Sequence, residues 1–382
     1  MNYYFHKSIL KKIAFLTGTR ADFGKLKSLI QTIHDSTDFE YEIFATGMHL
    51  LEQYGLTVIE IEKAGFNNIH RFSNQTSEAT MDLTLAKTIE GFSAFVKSVE
   101  PDLIIVHGDR VEALAGAIVG ALNNILVGHI EGGELSGTVD ELIRHSVSKL
   151  SHIHFVSHET AVKRLLQMGE LESSIFNIGS ADLDVLFSDT LPNLETIKTY
   201  YNIPFESYAV VLFHSVTTAH QETAKHADDF IQALLEDDQN YVVIYPNNDL
   251  GSSAILKAYR QFEEHPRFRL FPSLRFEYFI TLLKNATFLI GNSSAGIHEA
   301  PYLGIPTVNV GRRQENRDLQ TDSIIHVDNA TAAILKGIAS AKALKVKPKG
   351  TKSTTTAASG FLEALRTEAF WQIDHQKQFR DL

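Results

Sequence analysis

LIIVHGDRVEALAGAIVGALNNILVGHI, residues 103–130, decides the fold class. Leu103 to Val106 is a short apolar run rich in β-branched residues, the pattern of a fully buried strand. Arg110 to Leu122 reads as a helix, and Leu126 to Gly128 opens a second apolar run. Strand, helix and strand at this spacing make a βαβ unit, whose strands lie parallel with helices on both faces. The stretch is also the most hydrophobic in the chain. Asp109, Arg110 and Glu112 interrupt it, so it holds no span of ~20 apolar residues for a bilayer.

The same alternation extends in both directions. Before and after it, Ile13 to Thr17, Tyr41 to Ala45 and Ile153 to Val156 read as strands. Helices are expected at Gly24 to His34, Met81 to Val99, Asp140 to Leu150 and Glu159 to Met168. A second series then begins, with strands at Tyr208 to Phe213, Tyr241 to Tyr245, Phe268 to Phe271, Thr287 to Ile290 and Thr307 to Val310. Its helices are expected near Glu222 to Leu235, Ser253 to Glu264, Phe276 to Lys284 and Ala295 to Leu303. Asp182 to Glu206, with Pro192 and Pro204, is the expected linker, and the polar Lys349 to Ser359 is expected to be mobile. The fold class is therefore α/β, with two doubly wound Rossmann-like domains facing a cleft. Residues 1–185 form the first domain and 186–358 the second. Residues 359–382, with a helical pattern from Gly360 to Phe379, pack back on the first.

Composition narrows the partners. The 382 residues carry a net charge of −11, which disfavours a nucleic-acid or anionic-membrane surface, so any polyanion needs a local site. No cysteine is present, which removes disulfides, thiolate metal sites and a cysteine nucleophile. Met1 to Leu10 has no secretory h-region, and a soluble cytoplasmic protein is the expectation. Seventeen histidines invite a metal, but His152 and His154 alternate on a strand without a third ligand at a recognisable spacing, and no metal is expected.

Four constellations fall at the carboxyl ends of strands, where a doubly wound sheet builds its site. Gly18-Thr-Arg20-Ala-Asp22-Phe-Gly24 is a strand-to-helix turn that suits a phosphate, and equally a tight turn with Asp22 as helix cap. Gly291-Asn-Ser293-Ser294-Ala-Gly-Ile-His298-Glu299 is a similar turn, with Glu299 placed for the hydroxyls of a ribose; plain capping is its alternative. The densest group is His107-Gly-Asp109-Arg110 followed by Glu131 and Asp140, three carboxylates gathered at one rim, a catalytic pattern. Asp140 and Arg144, four apart on one helix, are open to a merely structural pairing. His214 and Tyr245-Pro-Asn247 follow second-domain strands and face the cleft from the other wall, as do Arg312 and Arg313. Two phosphate turns in facing domains suggest a nucleotide diphosphate held across the cleft. The glycine turns lack the GxGxxG fingerprint, so no nicotinamide is expected.

At these residues the sequence closely resembles the hydrolysing UDP-N-acetylglucosamine 2-epimerases of bacterial sialic acid synthesis, and the epimerase half of the animal bifunctional enzyme. The resemblance runs from about Lys12 to Arg317 on GTRADFGKLK, HGDR, HIEGGELSGTVDELIRHS, YPNND, GNSSAGIHEAP and GRRQ. It implies a glycosyltransferase B type fold, a homodimer, no cofactor, and conversion of UDP-GlcNAc and water to N-acetylmannosamine and UDP. It also implies a place in sialic acid synthesis, and so in capsule or surface polysaccharide. On that pattern Asp109, Glu131, Asp140 and His214 are catalytic. Arg20, Gly24, Arg110, Asn247, Leu274, Ser293, Ser294, Glu299 and Arg313 contact the UDP-sugar. Two departures stand out: Ser215 where the family usually has Pro, expected to loosen the His214 loop, and His298 where Arg commonly precedes the Glu, expected to remove a cation.

The residue types suit that chemistry. The C2 proton of a pyranose is hardly acidic, so the anomeric C–O bond must break before or with its removal. Cations around the pyrophosphate help UDP leave, and carboxylates stabilise the oxocarbenium character and move the proton. The expected route is elimination to 2-acetamidoglucal, then hydration with inverted C2. Alternatives are the same reaction on UDP-2,4-diacetamido-2,4,6-trideoxyglucose of the legionaminic acid pathway, a glycosyltransferase, and a non-catalytic sugar-nucleotide sensor.

Overall fold

The computed structural model describes residues 10–76, 80–315, 317, 322–350 and 355–380. Two parallel sheets follow from the two series of apolar runs. The first holds β1 (Lys11–Thr17), β2 (Phe39–Ala45), β3 (Ile69–Arg71), β4 (Leu103–His107), β5 (Leu126–Ile130), β6 (Ile153–Val156) and β7 (Ile175–Asn177), in the order β3-β2-β1-β4-β5-β6-β7. The second holds β8 (Ala209–Leu212), β9 (Tyr241–Ile244), β10 (Phe268–Phe271), β11 (Leu289–Gly291), β12 (Thr307–Val310) and β13 (Ile324–Val327), ordered β10-β9-β8-β11-β12-β13. Both orders reverse beside the first strand of the series, at β1/β4 and at β8/β11. Those are the switch points where such sheets open a crevice. The architecture is the expected pair of Rossmann-like domains facing a cleft.

Central strands such as β4 and β8 are buried on both faces, which is why they read as unbroken apolar runs. The sequence reading passed over β3, β7 and β13. The first two are three residues long and half exposed, and Ile324–Val327 alternates with an exposed His326, so none presents a continuous apolar signal. The expected linker is partly helical. Ala181–Leu186 and Leu194–Tyr201 are helices, the second capped by Asn193, whose side chain accepts from the Thr196 amide at 2.8 Å. The expected helix over Ala295 to Leu303 breaks into Ala295–His298 and Ala300–Leu303, with Pro301 at the start of the second piece. Part of Lys349 to Ser359, residues 351–354, lies outside the described residues; the helix Ala357–Arg366 begins within that stretch. No helix among the described residues is long and apolar enough to cross a membrane.

The chain end returns to the first sheet. Phe361 and Leu365, fully buried, join Phe15, Ile105 and Phe155 in one core, and the Phe361 ring lies 4.9 Å from that of Phe155. The helical pattern does not run to Phe379 as its periodicity suggested. It stops at Arg366, where the Thr367 hydroxyl turns back to the Ala364 carbonyl at 2.7 Å, and only Glu368–Trp371 resumes it. Beyond, Lys377 reaches the fully buried Glu170 (2.5 Å), which also pairs with Lys149 (2.7 Å) and His154 (3.0 Å). Burial pushes the Glu170 carboxyl up, but His154 and the two ammonium groups win and bring it down to about 2. Burial also lowers His154.

Both shifts mean that the folded chain binds fewer protons than the unfolded one. Their stabilisation is complete above about pH 6.5, weakens as unfolded histidine gains its proton, and is lost as Glu170 protonates toward about pH 2. Glu170→Gln is therefore expected to lower the urea midpoint more at pH 7 than at pH 3. Phe361→Ala is expected to cost about 3–5 kcal/mol, read from the same unfolding curves.

Candidate active site

The cleft wall of the first domain starts at β1. Thr19 caps the helix Arg20–Asp35 in a capping box with Asp22, whose carboxylate also accepts from the Gly18 amide at 2.9 Å and the Thr19 amide at 3.0 Å. The cap is thus Thr19 rather than the expected Asp22, which sits at the third helical position and closes the box, while Arg20, the first residue of the helix, lines the cleft with Glu60 at 3.8 Å. Gly24 is not among the lining residues. It lets the helix touch the other domain, since a Cβ there would stand 2.5 Å from the Phe276 Cβ.

The carboxylates emerge from β4 and β5. Asp109 follows His107-Gly108 and accepts from Ser136 Oγ at 2.8 Å and from the Arg144 guanidinium. Glu131 sits at φ +63°, a left-handed conformation that costs a non-glycine residue about 1–3 kcal/mol and turns its side chain off the strand end. Lys25 lies 3.1 Å from it, His107 3.4 Å and Arg144 3.8 Å. Burial alone would raise both acids. Arg144 and Arg317 instead hold Asp109 below the usual carboxylate range, and Lys25 with His107 holds Glu131 well below it. Asp140 behaves oppositely: burial and the charge on Asp109 push it up, against Arg313 at 3.5 Å. The helix pair Asp140 and Arg144 does not form. Arg144, 3% exposed, turns to Asp109 and donates to the Glu131 carbonyl at 2.7 Å, while Asp140 faces the other domain.

The second wall is built on Asn292. Its side chain accepts the His214 amide at 2.7 Å and donates to the His214 carbonyl at 2.8 Å, which ties the residue before Ser215 to this wall. Its carbonyl takes Arg313 (3.2 Å) and Gln314 (2.7 Å). Just before it, Gly291 has φ +139° and no room for a Cβ, which would lie 1.9 Å from the Leu212 carbonyl oxygen. His214 Nδ1 accepts the Asn247 amide at 3.1 Å, which leaves the ring proton on Nε2. Burial, Arg313 and Arg110 hold this imidazole neutral, well below its usual range. Leu274, Ser293 and Ser294 line the same cavity of about 260 Å³. Glu299 closes it, 4% exposed and pushed up to about 7 by burial and Asp182.

Charges also meet across the gap. Arg110 of the first wall donates to Asn248 at 3.0 Å and stands 3.6 Å from Asp249. Arg317 of the second reaches Ser136 at 3.3 Å. Arg317 also donates to His298 at 2.6 Å, so the cation missing at position 298 is met by a guanidinium from a neighbouring loop. Sequence reasoning passed over Lys25, Arg144, Asp182 and Arg317 as site residues. Lys25 lies inside GTRADFGKLK, so that motif was its signal; Asp182, in the supposed linker, had none. Among the described residues no cluster is arranged for a metal ion.

Comparison with known proteins bears on the family and the fold. The family profile described as UDP-N-acetylglucosamine 2-epimerase matches residues 31–361. The UDP-N-acetylglucosamine 2-epimerase of Neisseria meningitidis serogroup B is 48% identical over 98% of this chain and 100% of its own. A UDP-N,N'-diacetylbacillosamine 2-epimerase (hydrolyzing) of Legionella pneumophila is 36% identical over 86% of this chain and 88% of its own. Among solved structures, Methanocaldococcus jannaschii UDP-GlcNAc 2-epimerase in complex with UDP-GlcNAc and UDP superposes with a TM-score of 0.79. It shares 19% identity and covers 93% of this chain and 99% of that one, a likeness of fold.

The hydrogen bonds at His214 generate a direct test. Nitrogen-resolved NMR of its ring is expected to show the Nε2–H tautomer unchanged from pH 6 to 8. A midpoint inside that window would contradict the assignment.

Proposed function

The chain belongs to the UDP-N-acetylglucosamine 2-epimerase family, and we propose that it is a hydrolysing member that turns UDP-GlcNAc and water into N-acetylmannosamine and UDP. One observation carries this reading: three carboxylates, Asp109, Glu131 and Asp140, gather on one wall of a cleft whose other wall offers cations and donors. In the proposed complex Ser293, Ser294, Arg313 and Arg110 hold the pyrophosphate, and Glu299 accepts the ribose hydroxyls. Asn247 and Leu274 flank the nucleotide. His214, neutral with its proton on Nε2, donates to a phosphate oxygen as the anomeric bond stretches.

The two ionised acids, Asp109 and Glu131, face the sugar and stabilise its oxocarbenium character, and one of them takes the C2 proton. Loss of that proton as, or after, UDP departs leaves 2-acetamidoglucal. Asp140, the one of these three carboxyls that burial and the charge on Asp109 shift upward, serves the hydration step. Water supplies the anomeric hydroxyl, and the proton added to C2 arrives on the opposite face, giving the manno product. No cofactor enters this route. The family reading also makes the assembly a homodimer and places the reaction in sialic acid synthesis. A second substrate is favoured by the Legionella relative: the 2,4-diacetamido-trideoxy sugar nucleotide, which differs at sugar C4 and C6.

Proton NMR of the protein with UDP-GlcNAc in deuterated water is expected to show N-acetylmannosamine deuterated at C2, together with free UDP. UDP retained on the epimerised sugar would overturn hydrolysis, and faster turnover of the diacetamido nucleotide would reassign the substrate. Asp109→Asn is expected to lower kcat by about 10²–10⁴-fold with UDP affinity, measured by calorimetry, kept within a few-fold.

A further inference from the structure

Arg20 enters the cleft with its donors open. Its guanidinium lines the cavity, the side chain is 13% exposed, and its Nε is buried with no hydrogen-bond partner among the described residues. The carboxylate beside it, Glu60 of the short helix Val58–Lys63, stands 3.8 Å away, beyond hydrogen-bond reach. A guanidinium so far removed from water gains most from a bidentate carboxylate pair. That carboxylate is taken by a second guanidinium. Arg275 of the other domain sets its Nε 2.5 Å from Glu60 Oε2 and a terminal nitrogen 3.4 Å from Oε1. Lys63, 55% exposed, adds only a screened charge at 3.9 Å.

Arg275 is held from its own domain. Its guanidinium lies 5.4 Å from the Tyr200 ring centre and 5.2 Å from that of Tyr278, and the Tyr201 oxygen accepts its backbone amide at 3.3 Å. Tyr200 and Tyr201 end the helix Leu194–Tyr201, and Tyr278 belongs to the helix Phe276–Lys284. The loop before Arg275 lines the cavity through Pro272, Ser273 and Leu274, and Ser273 donates to the Tyr54 carbonyl of the first domain at 2.9 Å. Both the ring contacts and this bond fix where the Arg275 head meets Glu60. We propose that Arg275 is a positioning residue for Arg20. By gripping Glu60 side-on, it keeps that carboxylate close enough to balance the Arg20 charge yet out of bonding contact, so the Arg20 donors stay open to an oxygen of the UDP moiety. This rests on the reading of Arg20 as a UDP contact. Without Arg275, Glu60 closes on Arg20, and a nucleotide has to break that pair before it can bind.

The test is calorimetry of UDP binding at pH 7, joined to steady-state kinetics on UDP-GlcNAc. Arg275→Gln is expected to raise the UDP Kd and the KM about tenfold and to keep kcat within a few-fold, because the blocked contact serves ground and transition states alike. Glu60→Gln is expected to bind UDP as tightly as wild type or tighter, since no carboxylate remains to occupy Arg20. The double variant is expected to follow Glu60→Gln and so to rescue Arg275→Gln. A plain clasp between the domains gives another pattern: either single change breaks it, and Glu60→Gln then weakens binding as much as Arg275→Gln does. Wild-type affinity in Arg275→Gln, weakened binding in Glu60→Gln, or a double variant no better than Arg275→Gln overturns the proposal. If Arg275→Gln does not fold, the Glu60→Gln affinity decides alone. An Arg20→Ala variant that binds UDP like wild type would remove the reading of Arg20, and absence of UDP binding by the wild-type protein would remove the functional reading itself.

Discussion

Opposite charges buried on the two walls of one cleft are the constraint from which the rest of this structure follows. A carboxylate or guanidinium removed from water without a partner costs several kcal/mol, so each must find one before any ligand arrives. Asp140 finds Arg313 across the gap, Arg110 finds Asn248 and Asp249, and Arg317 turns toward Ser136 beside Asp109. These contacts join the two domains by the same groups that the proposed pyrophosphate would engage. A nucleotide would therefore enter by exchange: phosphate oxygens replace Asp140 and Asp249 on the guanidinium groups. Of the two acids it would free, Asp140 lies on the first-domain wall, beside Asp109 and Glu131.

The two walls divide the chemistry by element type. Acids stand at the ends of β4 and β5, where a strand stops and its next residues can point into the crevice, and Glu131 accepts left-handed strain to do so. The opposite wall works through backbone geometry. Gly291 permits an approach that no side chain fits, and Asn292 then ties His214, Arg313 and Gln314 to one another. A single asparagine side chain and carbonyl thus set the height of a neutral donor and a cation together. Substituting either partner alone would leave the other anchored.

The sequence made the sheet-forming runs and the rim acids legible because both rest on local patterns. Leu103 to Val106 is apolar whichever helices cover it, and an acid one or two residues past such a run lands at a strand end. Partnership was less legible. Arg144 stands four residues from Asp140 on one helix, a spacing that suggests a pair, yet it turns to Asp109, which is more deeply buried and needs it more. Asp182 lay in a stretch whose prolines and serines suggested a linker, and only the folding of Ala181–Leu186 against the helix Arg20–Asp35 brings it to Lys25. Gly24 carried a motif position, but its reason is the Phe276 ring of the other domain, 252 residues away in no local pattern. Long-range charge and contact are properties of the assembled sheets.

The distribution of protons in the cleft then fits an order of events. Asp109 and Glu131 are held ionised by Arg144, Lys25 and His107 on their own wall, with Arg317 from the other, so the site is negative where an oxocarbenium-like sugar would form. His214 is neutral, and of the three rim acids Asp140 is the one shifted toward its protonated form, so donors face the side from which a phosphate would leave. Such an arrangement stabilises separated charge, positive on the ring and negative on the departing diphosphate, more than it stabilises the intact acetal. It does little for direct removal of a C2 proton from an uncharged sugar, because carboxylates held this far below their usual range are weak bases. Bond scission that precedes or accompanies proton loss lowers the demand on those bases, and the electrostatics of this cleft favour that sequence.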